Sequence, residues 1–372
     1  MRATRAIIHL DNLVFNISEI KKKIPANTRI CVPVKADAYG HGAIPIAKAA
    51  LAAGATHLAV ATAQEGVELR RADIGAPILL LGLCSPDEIG EIVAHDITPF
   101  VADRESIAEL SRAAKAAKKR LPVHLKIDTG MGRIGCTPDE ALSLARYISD
   151  DACLELAGTA THLPVSDSPE AAHREFTRRQ LDLFARTVNS IRDAGIDPGI
   201  VNAGNSGSVL LYPDAHFDMI RPGIIVYGYL PDSRLAGTID LKPVMELETE
   251  IAAIKRVAAG TPISYGLTWT APGETLIATL PIGYADGLAR ALSPGLRVRI
   301  GGAEYPIVGR ICMDQCMVDL GHDSPVRRWD RATVFGPRPA RGADEVASIM
   351  GTIPYEITCA VNKRVPRVYV EG

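Results

Sequence analysis

Ile30-Cys31-Val32-Pro33-Val34-Lys35-Ala36-Asp37-Ala38-Tyr39-Gly40-His41-Gly42 runs from an apolar stretch through a lysine into a glycine-rich turn. A short apolar run bounded by turn residues reads as a buried strand. The same pattern recurs at His57 to Thr62, Ile78 to Leu83, Ile97 to Val101, Pro122 to Ile127, Leu154 to Thr161, Gly199 to Val201 and Phe217 to Ile220. Helical patterns separate these runs, which is the signature of βα units around a parallel sheet. Eight units predict a closed (β/α)8, TIM-like barrel of the α/β class, with reactive residues at the C-terminal ends of its strands.

Helix starts support that reading. Ser85-Pro86-Asp87-Glu88 and Thr137-Pro138-Asp139-Glu140 each offer an N-cap, a proline at the first helical position and an acid that completes a capping box. Ser168-Pro169-Glu170 opens a long helix with Phe176, Leu183, Phe184, Val188 and Ile191 on one face. After about residue 240 the pattern shortens to strands at Met245 to Ile251, Thr275 to Leu280, Arg297 to Ile300, Met317 to Leu320 and Ala332 to Phe335, with only Asp344 to Met350 helical. The expected division is a barrel over 1–238 and a mainly β C-terminal domain over 239–372.

A chain of 372 residues accommodates two such domains, and 47% apolar with 23% charged residues is the balance of a soluble globular protein. Lysine plus arginine (41) against aspartate plus glutamate (43) leaves −2, which implies neither a nucleic-acid nor a membrane partner. The N-terminal MRATRAIIHLDNL has no signal-peptide pattern. Seven cysteines, an odd number, predict free thiols in a reducing compartment. Cys312 and Cys316 have no second pair nearby, so no metal site is read there.

Lysines are usually solvated, but one that finishes an apolar strand at the reactive end of a barrel is partly desolvated, which frees its amine to form a Schiff base. Lys35 is such a lysine. In His124-Leu125-Lys126-Ile127-Asp128-Thr129-Gly130-Met131-Gly132-Arg133, regular alternation turns Lys126 inward with His124 and Asp128. A buried lysine needs an anion, so either Asp128 supplies it or Lys126 is chemically altered. Asn202-Ala203-Gly204-Asn205-Ser206-Gly207 offers backbone donors and a hydroxyl at a helix start, a seat for phosphate, and Arg221-Pro222-Gly223-Ile224 follows the eighth strand, where barrels often hold phosphate.

VPVKADAYGHG (32–42), HLKIDTGMGRIG (124–135), NSG (205–207), RPGI (221–224), SYG (264–266), GYADG (283–287) and GRICMDQ (309–315) occur in this order. Together they resemble the alanine racemases, fold-type III enzymes that use pyridoxal 5'-phosphate, and the resemblance spans essentially the whole chain. It implies that Lys35 carries the cofactor, that Tyr39, Asn205, Ser206, Gly223, Ile224 and Tyr355 surround its phosphate, and that Arg221 faces its pyridine nitrogen. His162 would link Arg221 to Tyr265, the proton-transfer residue on the face opposite Lys35. Lys126 resembles a position that is carbamylated in many members, beside the carboxylate-binding Arg133. Tyr265 and Met313 would reach the site of the other subunit of a homodimer, with Tyr284 and Arg310 lining the substrate entrance. The implied reaction is interconversion of L- and D-alanine for peptidoglycan synthesis in a bacterial cytoplasm.

Two positions depart from the family's usual pattern. Pro354 stands where asparagine is frequent, and Trp269 stands where a smaller aromatic is common, either narrowing the entrance or packing beside it. A decarboxylase of related barrel fold would carry an acid where Arg221 stands, and a cofactor-carrying protein without catalysis would lack the β domain and Tyr265. Racemases of other amino acids are closer alternatives, because a methylene in a pocket is worth only about 1–3 kcal/mol.

Overall fold

The protein is described here from a computed structural model covering residues 3–371. After strand β1 (Arg5–His9) come β2 (Arg29–Pro33), β3 (His57–Val60), β4 (Ile78–Leu80), β5 (Ile97–Val101), β6 (Leu121–Lys126), β7 (Leu154–Ala160), β8 (Ile200–Asn202) and β9 (Met219–Ile220), and β2 to β9 close into a barrel. Neighbouring strands are parallel, and Arg29 opposite Met219 with Ile30 opposite Ile220 joins the ends of the ring. The helices Ala43–Ala52, Ala63–Arg71, Ile89–Ala94, Arg104–Ala116, Pro138–Ser149, Ala171–Asp193 and Ser206–Leu211 fall between successive strands. The barrel expected from eight apolar runs therefore forms.

Its interior is filled by Cys31, Ala59, Leu79, Phe100, Ala160 and Met219, small residues facing large ones from six strands. Burying a side chain as large as Leu79 or Phe100 contributes about 1.5–3 kcal/mol. The capping boxes are formed: the Glu88 carboxylate accepts the Ser85 N–H at 2.9 Å, and Glu140 accepts that of Thr137 at 2.9 Å. Helix Ala171–Asp193 buries Thr177, Gln180, Leu181, Phe184, Thr187, Val188 and Ile191, while Phe176 and Leu183 are half-buried at the margin. The face is rotated from the expected one because Gln180 turns inward, its amide donating to Thr129 Oγ1 and the His162 carbonyl at 3.3 Å each.

The second unit comprises the segment up to Leu13, Tyr39–Gly42 and the chain from Lys242 onward. It contains β10 (Met245–Glu250), β11 (Ala253–Val257), β12 (Pro262–Ile263), β13 (Trp269–Thr270), β14 (Thr275–Leu280), β15 (Arg297–Ile300), β16 (Ala303–Val308), β17 (Cys316–Gly321), β18 (Arg331–Phe335) and β19 (Arg367–Val370). Nine strands form one sheet in the order β11-β14-β17-β16-β15-β18-β10-β1-β19, and β12 pairs with β13 in a separate ribbon.

Three sequence expectations are corrected here. The range 1–238 is not all barrel, because Ala6 and Ile8 give β1 one buried face and it pairs with β10 and β19. Strands β11 and β16 escape a reading by apolar runs because Lys255, Arg256 and Glu304 lie within them. A second helix, Pro354–Ala360, accompanies Ala343–Met350, with Pro354 at its start, where a missing N–H costs nothing. All seven cysteines are free thiols, with Cys31, Cys136 and Cys316 buried. No helix among the described residues is long and apolar enough to cross a membrane.

Candidate functional site

Lys35 follows β2 by two residues, and the intervening Val34 still donates its N–H to the Ala59 carbonyl at 2.8 Å, which extends the ladder to the base of the lysine. The chain then turns left-handed through Ala36, Asp37, Ala38 and Tyr39, with φ of 51°, 54°, 54° and 54°. L-residues visit this region singly as a rule, at about 1–2 kcal/mol each, so four in succession need support. The Ala36 N–H donates to Glu65 Oε1 at 2.6 Å and the Ala43 N–H to Asp37 Oδ1 at 2.8 Å.

At the end of β6, Lys126 is buried, and its ammonium donates to the Ile127 carbonyl at 3.1 Å. Burial pushes its pKa down to about 7, and the nearby Arg221 charge acts in the same direction. Asp128 does not pair with it. Its Oδ1 accepts the N–H groups of Gly130 (2.9 Å) and Met131 (2.8 Å), and its Oδ2 that of Gly132 (2.9 Å), so the carboxylate organises the loop that carries Arg133. Of the two sources of an anion for Lys126, the unmodified aspartate is thus already committed.

Arg221, directly after β9, is buried and donates to Asn202 Oδ1, to the Thr161 carbonyl at 2.8 Å and to His162 Nδ1 at 3.4 Å. All three acceptors are neutral, so the guanidinium charge is uncompensated by its hydrogen-bond partners, and burial lowers its pKa to about 10. His162 is held well below its ordinary pKa by burial and then by the charges of Arg221, Lys126, Arg133 and Lys35. Neutral His162 accepts at Nδ1 from Arg221, so its proton resides on Nε2. Asn202 was not singled out in the sequence. Its position at the C-terminal end of β8 was the available signal.

Ser206 opens the short helix Ser206–Leu211, and its Oγ accepts the Gly223 N–H at 2.9 Å, bringing the two turns together with buried Ile224 beside them. Asn205 has a different occupation: its Oδ1 accepts from Ser166 Oγ (2.7 Å) and the Ser208 N–H (3.1 Å), and its amide donates to the Leu163 carbonyl (2.8 Å). It ties the loop after β7 to the helix start.

In the second unit, the rings of Tyr39 and Tyr355 lie 5.6 Å apart, and burial raises the Tyr39 pKa. Tyr265 stands in the turn between β12 and β13, where Ser264 (φ 68°) and Leu267 (φ 47°) hold strained backbone, and its side chain is 71% exposed. Ser264 Oγ donates to the Arg310 carbonyl at 2.6 Å, and a Cβ on Gly266 would stand 3.0 Å from Arg310 Cζ, so Arg310 packs under the turn. Met313 and Tyr284 are 53% and 43% exposed. Trp269 packs against the cluster of Val257, Ile263, Ala271, Ile277 and Val308.

Residues 8–231 match the family described as alanine racemase, N-terminal domain, and residues 244–369 that described as alanine racemase, C-terminal domain. The alanine racemase of Treponema denticola is 56% identical over 376 residues, covering 100% of this chain and 99% of that protein. The solved alanine racemase of Clostridium difficile 630 superposes with a TM-score of 0.95 at 37% identity, covering 100% of this chain and 97% of that one. That of Bacillus anthracis with bound L-Ala-P gives 0.92 at 35% identity, covering 100% and 96%.

Proposed function

The chain belongs to the alanine racemase family, and from that premise we propose that Lys35 and Tyr265 move the α-proton of alanine on opposite faces of its Cα. The reaction is the pyridoxal-phosphate-dependent interconversion of L- and D-alanine, which supplies D-alanine for peptidoglycan synthesis. The observation that carries the residue assignment is the set of basic side chains around His162: Lys35, Arg133 and Arg221, with Lys126, whose buried amine is partly uncharged near neutrality. Asp128 is held by backbone N–H groups, and the hydrogen-bond acceptors of Arg221 are all neutral. Such a cluster fits a phosphorylated cofactor together with a carboxylate substrate, each bringing the charge the site lacks.

In this reading Tyr39, Ser206, Gly223, Ile224 and Tyr355 hold the phosphate, with Asn205 supporting that turn, and Arg221 meets the pyridine nitrogen. Arginine donates and almost never gives up its proton, so it keeps that nitrogen unprotonated. The bound cofactor supplies the electron sink that acidifies the Cα–H bond. Arg133 receives the substrate carboxylate through its planar fork, and a carbamylated Lys126 holds Arg133 in place. Lys35 Nζ serves the D-face and the Tyr265 hydroxyl the L-face. Phenols ionise only well above neutrality, so the base form needs a donor, and the Nε2–H of neutral His162 is suited to that task.

Tyr265 and Met313 act in the site of the second subunit of a homodimer, in a bacterial cytoplasm, and Tyr284 and Arg310 line the substrate entrance. A side chain as exposed as Tyr265 lacks, on its own chain, the enclosure that proton transfer needs. Tyr265→Phe is expected to lower L-to-D turnover by about 10²–10⁴-fold while cofactor binding persists. Lys35→Ala is expected to remove the visible absorbance of the lysine-bound cofactor. Unchanged turnover in the first variant, or retained absorbance in the second, would overturn the assignment.

A further inference from the structure

Asp286 is completely buried, yet it lies in the turn that presents the half-exposed Tyr284. Its carboxylate accepts the Gly283 N–H at 3.0 Å and Arg364 Nε at 2.6 Å. A single turn needs only the first of these bonds. Arg364 continues to a second loop, where its Nη2 donates to Asp314 Oδ1. Asp314 is the residue after Met313, so one guanidinium joins the turn of Tyr284 to the loop of Met313.

The backbone repeats this connection. The Tyr284 N–H donates to the Cys312 carbonyl and the Ala285 N–H to the Met313 carbonyl, both at 3.0 Å. A Cβ on Gly283 would stand 2.3 Å from the Cys312 oxygen, so the approach admits no side chain there. The arginine is itself fixed, since its N–H donates to Asn362 Oδ1 at 3.0 Å and the Asn362 N–H donates to the Asp286 carbonyl at 3.1 Å. Exposed loops ordinarily move, and burying a carboxylate is costly unless it is paired and hydrogen-bonded. Both conditions are met here at the two loops whose side chains project outward, as a preorganised surface requires.

We infer that Arg364, bridging Asp286 and Asp314, is a positioning clamp that holds Tyr284 and Met313 in the geometry that admits alanine, an inference that rests on the assignment of those two residues to the substrate approach. The clamp acts on access and fit and touches no proton in flight, so its loss raises KM more than it lowers kcat. Arg364→Lys keeps the charge but cannot reach both carboxylates with a planar fork. Asp314→Asn leaves the buried Asp286–Arg364 pair intact and so preserves folding.

Steady-state kinetics on the holoenzyme, in both directions, test the clamp. Both variants are expected to raise KM for alanine about fivefold or more while kcat stays within about twofold. A KM equal to wild type in both variants overturns the clamp, whatever happens to the thermal midpoint, because a purely structural contact changes stability and leaves KM alone. Wild-type turnover in the same series keeps the two ideas apart. Failure of the wild type to racemise alanine overturns the assigned reaction, whereas a normal wild type beside unchanged variants overturns the clamp alone.

Discussion

Burial lowers the Lys126 pKa to about 7, so near neutrality a large share of its amine is uncharged and nucleophilic. An unfolded lysine titrates near 10.4, so between about pH 7 and 10.4 the unfolded chain binds the extra proton and this group makes stability rise with pH. Below about 7 the penalty for burying the ammonium is complete. A neutral Nζ can attack the carbon of CO2, forming an N–C bond and losing one proton to give a carbamate anion. We therefore expect protein equilibrated with carbon-13 bicarbonate at pH 8 to show a carbamate resonance that weakens as pH falls through 7 and is absent from Lys126→Gln. Identical spectra for the two proteins would exclude the modification. The need for an anion at this residue was legible from alternation along His124 to Asp128. That Asp128 is instead held by three backbone donors was not, because those donors come from a loop whose curvature no periodicity reveals.

Among the elements, the turn after β2 is where local preference and function diverge most. Alanine, aspartate, alanine and tyrosine read as helical or neutral, yet all four are left-handed. The ties from Glu65 and Asp37 impose that conformation, and it sets the course of the chain between Lys35 and Tyr39. A β-branched residue fits this region worse than alanine does. Ala36→Ile, at an exposed position, is expected to destabilise the protein by about 1–2 kcal/mol and to weaken cofactor retention, measured by chemical denaturation and by dialysis. Unchanged stability would mean that the turn is not strained. Elements that bury one uninterrupted apolar run, such as β4, could be read directly from the sequence. Strand β1 could not, since its partners β10 and β19 are more than 200 residues away in the chain and only pairing makes Arg5–His9 a strand.

At the scale of the whole molecule, the barrel followed from its repeating units, but no repeat leads to Tyr265, one of ten tyrosines. It lies in a two-strand ribbon too short to show a pattern, and the family resemblance supplied it. We expect each site to take Lys35 from one subunit and Tyr265 from the other. Mixing the two inactive variants Lys35→Ala and Tyr265→Phe, dissociating them and allowing them to reassemble tests that claim directly. Shared sites leave one intact site in every mixed dimer, so random reassembly of equal amounts should restore about a quarter of wild-type racemase activity. If each subunit instead builds its own site, every site in the mixture carries one defect, and activity at the level of the separate variants would exclude a shared site.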